Sequence, residues 1–158
     1  MALLEEVDPI RQGRLRCHLA NGLLNVGRLE DAGEMMQALL GETHDPWTRG
    51  TATARLGSVC WFRGQVAEAR EHWLAAVGIL EEAGILPSVR LFKRFIARAE
   101  MDLGLYDPAR GFLEIDLSMA EQGGQPRVTA MVQMYLGLLE HAEDELLAAG
   151  ARLEAAID

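Results

Sequence analysis

At 158 residues the chain is long enough for one domain with a sizeable buried core. Apolar residues make up 49% and aromatics only 6%, a mix that argues against disorder and favours helix over sheet. A net charge of −9 argues against general nucleic-acid binding, because neutralising phosphates needs a basic surface.

The basic residues are 14 Arg and a single Lys, Lys93. Cys17 and Cys60 are the only cysteines, so no disulfide framework is expected, and a reducing, cytoplasmic setting fits. The start, Met1–Glu6, lacks the charged and apolar regions of a signal peptide. No run of 18 apolar residues exists to span a membrane.

Five prolines punctuate the chain: Pro9, Pro46, Pro87, Pro108 and Pro126. Each precedes an apolar-periodic run, and Asp8, Asp45 and Asp107 precede three of them. Asp at the N-cap followed by Pro at the first helical position is a strong helix start, since proline lacks an N–H that would be orphaned there anyway. All five therefore read as helix openings. Pro9, Pro46, Pro87 and Pro126 recur at intervals of 37, 41 and 39 residues, and Gly27, Gly64 and Gly104 follow the first three by 18, 18 and 17. The rhythm predicts four helix–turn–helix units, approximately 9–41, 46–84, 87–124 and 126–158, forming one domain.

In unit one the helices are expected over Pro9–Val26 and Leu29–Leu40, with Gly41 as terminator. Unit two has Pro46–Phe62 and Val66–Ala83, stopped by Gly84. In unit three they are Pro87–Leu103 and Pro108–Gln122, stopped by Gly123-Gly124. Here Glu100 stands where an apolar residue is expected and Asp116 where a small one is. Unit four reads as Pro126–His141 and Asp144–Ile157, with Glu140 and Asp144 off-pattern. An apolar residue recurring every three or four positions from Val128 to Ile157 also fits one long continuous helix.

Unit two carries the sharpest pattern. Leu56-Gly57, Cys60, Gly64, Val66, Ala69, Trp73 and Ala76 place two nearly bare positions, Gly57 and Ala69, where helices cross, with Trp73 filling the space beside them. This pattern resembles the tetratricopeptide helix–turn–helix unit, with intervals longer than its usual 34 residues, as in bacterial regulator regions. The resemblance implies an all-α, right-handed superhelix whose first helices line a concave groove. It also implies binding of extended peptides or partner helices, and seldom catalysis.

No motif supplies chemistry. His18, His44, His72 and His141 share no metal-ligand spacing with each other or with the cysteines. Ser58 lacks a nucleophile-elbow context, and Gly123-Gly124 lacks a phosphate-loop lysine. No cofactor, metal or catalytic residue is expected.

Stepping by threes and fours along the face of each first helix selects the candidate groove. It contains Arg14, Cys17, Asn21 and Asn25; Thr51, Ala54, Ser58 and Trp61; Leu91, Arg94, Arg98 and Met101; and Met131, Met134 and Leu138. Asn21 and Asn25 suit a peptide backbone, Arg94 and Arg98 a carboxylate, and Trp61 and Met134 adaptable apolar contact. The competing readings are solvated asparagines, pairing of the arginines with Asp102, and Phe62 in the groove in place of Trp61. The expected function is a non-enzymatic scaffold for a protein or peptide bearing an acidic group. A sensor region of a larger transcription regulator and a small chaperone for a secreted client are the alternatives. Leu146, Leu147, Leu153 and Ile157 at the end of the chain suggest either a longer protein or a homodimer through the C-terminal helix.

Overall fold

The computed structural model describes residues 8–142, Arg152 and 154–156. Seven helices and no strand occur among them: α1 (Pro9–Asn25), α2 (Leu29–Glu42), α3 (Pro46–Phe62), α4 (Val66–Glu82), α5 (Leu86–Asp102), α6 (Tyr106–Gln122) and α7 (Pro126–Ala142). No described helix is long and apolar enough to cross a membrane.

The helix starts follow local chemistry. Ile10 N donates to Asp8 Oδ1 at 3.1 Å ahead of α1, and Thr48 N donates to Asp45 Oδ2 at 2.9 Å ahead of α3, with proline next in each case. Pro108 is different. The residue capping α6 is Leu105, whose φ/ψ of −91°/68° matches those of Arg28 and Gln65 before α2 and α4. Asp107-Pro108 therefore lies inside the first turn, where backbone N–H groups have no helical partner and proline costs little.

One closure recurs at the connections. Gly64 has φ 78°, a left-handed conformation open to glycine. Its N–H donates to Trp61 O at 2.9 Å, and the next N–H, of Gln65, donates to Cys60 O at 2.9 Å, a Schellman motif. The same pair of bonds closes the turns at Gly27, Gly84, Gly104 and Gly124. The turn from α2 to α3 alone among the described connections lacks it. Gly41 does not end α2, which runs on to Glu42 and exits through the extended Thr43.

The chain divides into two compact units between Lys93 and Arg94, inside α5. In the first, Cys17, Ala20, Leu24, Ala32, Met36, Leu39, Ala52 and Val59 form one core cluster. Where α3 crosses α4 the backbones are close. A Cβ on Gly57 would stand 2.8 Å from Trp73 Nε1 and 3.0 Å from Ala69 O, and one on Gly50 would stand 2.5 Å from Leu80 Cγ. Trp73 itself is buried.

In the second unit Ala97, Met101, Ala109, Leu113, Leu117, Val132, Leu136 and Leu139 form the core. Glu100, Asp116 and Glu140, the off-pattern acids, are all buried in it. The expected helix 144–157, including Asp144, Leu146, Leu147, Leu153 and Ile157, lies mostly outside the described residues. Arg152 is described, and it meets Glu140 Oε1 at 3.3 Å and Gln133 Oε1 at 3.2 Å. On one continuous helix those residues would be roughly 18 and 28 Å away. The two contacts are therefore incompatible with one continuous helix from Val128 to Ile157.

Candidate functional site

The candidate surface of the first unit is built on α1 and α3, which pack side by side. Asn21 is half-buried and Asn25 exposed. Arg14 is exposed, with its guanidinium carbon 5.4 Å from the centroid of the Trp47 ring, which also sits 6.1 Å from the His18 ring. This cation–π contact ties α1 to the start of α3.

Cys17 is buried, with Sγ 3.9 Å from Thr48 O. Burial pushes its thiol up to about 11, against the smaller opposing pull of the Arg55 charge. Cys17 is thus a packed thiol, not a nucleophile.

Along α3, Ser58 Oγ donates to Ala54 O at 3.3 Å, and Trp73 Nε1 donates to the same oxygen at 2.9 Å. Trp61 is half-buried, with its ring centroid 5.7 Å from that of Trp73, while Phe62 is exposed. Ser58 and Trp61 are therefore partly committed to the packing of α3 on α4.

The unusual group is Arg55. Its Nε is buried without a hydrogen-bond partner, and it makes no ion pair among the described residues. Burial lowers its guanidinium from the ordinary value, and its only opposing neighbour is Cys17. One helical turn earlier on α3, Thr51 Oγ1 is also buried and unpartnered, with Thr51 4% exposed. Two orphaned polar groups at i and i+4 on one helix face are rare, since buried polar atoms are nearly always bonded.

The second unit treats its arginines otherwise. Arg94 Nε meets Asp116 Oδ2 at 2.6 Å and its NH2 meets Oδ1 at 3.3 Å, with both residues buried. The carboxylate it grips is the chain's own, brought by α6, so Arg94 is not open to a partner as the sequence reading expected. Arg98 Nε lies 3.4 Å from Asp102 Oδ1 without a hydrogen bond. Met101 is buried, while Leu91 and Met134 are exposed and Met131 and Leu138 half-buried. Glu140 faces two cations, Arg152 at 3.3 Å and Arg110 at 3.9 Å. Among the described residues no cluster of His, Cys, Asp or Glu could hold a metal ion.

No family model matches the chain, and no curated protein matches its sequence. Solved structures do match. The nearly identical TPR-like repeats of a Podosopora anserina protein described as a kinesin light chain align with a TM-score of 0.76 at 21% identity, covering 95% of this chain and 75% of that one. The fold is a tetratricopeptide-like repeat. A signal transduction ATPase with numerous domains and a tetratricopeptide repeat sensor, from Pyrococcus horikoshii, aligns at 0.80 and 17% identity over 96% of this chain and 24% of its own. The apo form of RapI aligns at 0.70 and 15% identity, over 96% and 44%. This chain spans less than half of either of those two proteins. Identities this low carry the fold alone.

With the repeats in place, α1, α3, α5 and α7 are the first helices of their units. Sequence stepping along α3 selected Thr51, Ala54, Ser58 and Trp61 and passed over Arg55, which lies between them. Its one sequence signal is an arginine with Thr51, Ala52, Ser58 and Val59 at three and four residues to either side, hence no acid in helical reach.

Proposed function

We propose that the α1/α3 face of the first unit binds an extended segment of a partner protein, and that an acidic group of that segment pairs with Arg55. The protein is a non-enzymatic interaction module, in keeping with its tetratricopeptide-like fold. The observation that carries this reading is the unpartnered, partly desolvated Arg55 guanidinium beside the unpartnered Thr51 hydroxyl. A carboxylate accepts two parallel hydrogen bonds from a guanidinium and can accept a third from a hydroxyl, so it would satisfy both groups at once. Asn21 on α1 supplies a donor and an acceptor for the segment's backbone.

A peptide-display selection tests this. Pools selected on the intact chain should be enriched in Asp or Glu at one position, and pools selected on Arg55→Met should lose that enrichment. Indistinguishable pools would refute the assignment.

A second reading has support of its own. Two of the similar structures are proteins of which this chain spans only part, and one carries its repeats as a sensor. On that reading the same face is the sensing surface of a larger regulator, and the selected segment is the signal.

A further inference from the structure

One line of α1 is bare. Leu15, Leu19, Gly22 and Val26 step by four, three and four and so lie along one side of the helix. Leu15, Leu19 and Val26 are 58%, 55% and 71% exposed. This line is opposite the buried Cys17, so it is not the Arg55 face.

The same positions of α3, 37 residues on, are Ala52, Leu56, Val59 and Arg63. There they are covered. Ala52 and Val59 are buried, Leu56 packs against them, and the covering element is α2. Gly33 of α2 lies where a Cβ would sit 3.9 Å from Val59 Cγ1, and Arg63 meets Glu30 at 3.2 Å. So α1 offers to solvent the surface that α3 offers to α2.

What fits that surface can be read from α2. It carries Glu30, Asp31, Glu34 and Glu42 and no base, whereas α1 carries Arg11, Arg14 and Arg16 and no acid. The missing cover should be an acidic amphipathic helix with α2's spacing. The chain holds a second copy of that spacing 117 residues later. Leu29, Ala32, Gly33, Met36, Ala38 and Leu40 recur as Leu146, Ala149, Gly150, Leu153, Ala155 and Ile157. The stretch 143–158 contains Glu143, Asp144, Glu145, Glu154 and Asp158 against Arg152 alone. Arg152 is bonded to its own chain, at Glu140 and Gln133, while Glu154, the counterpart of Gln37 in the α2–α3 cleft, is exposed.

We propose that residues 146–157 of a second copy dock on the Leu15–Leu19–Val26 stripe, so that copies associate head to tail. Such an interface joins two different patches, and a pair of copies keeps one free patch of each kind, so the association can continue. Arg16 pairs with Glu42 at 2.6 Å and Arg14 lies over Trp47, which leaves Arg11, one turn before Leu15, as the base on α1 that meets the acidic segment.

Two variants test the arrangement on the full chain. Leu15→Glu with Leu19→Glu blocks the stripe, and Gly150→Arg blocks the docking segment; Ile157→Arg serves if Gly150→Arg loses helicity. In sedimentation velocity the unaltered chain should grow beyond 17.4 kDa as concentration rises. Each variant alone should remain at 17.4 kDa to at least tenfold higher concentration, and an equimolar mixture of the two should form a one-to-one pair. Three results would overturn the proposal. One is an unaltered chain that stays monomeric, as it would if residues 1–7 covered the stripe within the chain. Another is self-association of the stripe variant alone, which would mark a two-fold contact of C-terminal segments. The third is a mixture that fails to pair.

Discussion

Trp73 Nε1 donates to the carbonyl oxygen of Ala54 across 2.9 Å, from α4 to α3. The bond is possible because Gly57, three residues beyond Ala54, has no Cβ to push the indole away. Burial of the ring and satisfaction of its one polar atom thus depend on the same close crossing.

Two substitutions separate these contributions. Trp73→Ala leaves a large void and should cost about 3–5 kcal/mol. Gly57→Ala puts a methyl 2.8 Å from Nε1, against backbone on its other side, and should cost about 1–3 kcal/mol by overpacking. Urea unfolding with constant m-value checks both. If Gly57→Ala is neutral, the crossing is looser than described.

The buried pair in the second unit makes a different prediction. Asp116→Ala deprives Arg94 of both its carboxylate bonds inside the core and should destabilise by about 3–5 kcal/mol. Replacing both, as Arg94→Met with Asp116→Leu, should recover much of that loss, because both charges of the pair are removed together. Thermal unfolding of the two single variants and the double variant measures the coupling. Additive losses would mean the pair does not act as a unit.

How far the sequence exposed this architecture depends on the range of each interaction. Pro9 and Pro46 mark helix starts correctly because capping is decided within four residues. Asp107-Pro108 looks identical, yet the turn before it closes through Leu105 N and Glu100 O, which opens α6 two residues early. Gly57, Ala69 and Trp73 were legible as a unit because their spacing is a signature of helix crossing. The roles of the arginines were not. Arg55 and Arg94 both lack an acid at three or four residues to either side. Arg94 is nevertheless paired, since α6 brings Asp116 from 22 residues away, whereas nothing among the described residues comes to Arg55. Periodicity along one helix carries no record of what a neighbouring helix supplies.

The Cys17 thiol predicts a pH dependence above neutrality. Its folded value, about 11, lies above the ordinary 9.0. The folded chain therefore holds this proton more tightly than the unfolded chain, and the stability this contributes is fully present below pH 9. As pH rises from 9 to 11 the unfolded chain ionises first, and stability falls by roughly 1.4 kcal/mol per unit at most. Cys17→Ala should flatten that part of the stability curve. Labelling of the Cys17 thiol at pH 8, followed in a Cys60→Ala background because Cys60 is only half-buried, should likewise proceed only as fast as the first unit opens. Prompt labelling of Cys17 in the folded chain would contradict its burial.

The last prediction concerns Arg55 and sets stability against binding. A guanidinium with a buried, unbonded Nε has given up hydration without receiving an ion pair, which destabilises the unoccupied fold. Arg55→Met keeps the stem's packing and removes the charge. It should raise the stability of the first unit by about 1 kcal/mol, while weakening association with an acidic segment at least tenfold. Arg55→Lys keeps the charge but not the planar fork, so it should bind weakly too without the same gain in stability. Thermal melts of the three proteins, beside titrations with an acidic peptide recovered from the display selection, give both numbers. A group kept for packing alone would lose stability on replacement and leave binding unchanged; a group held open for a partner does the reverse.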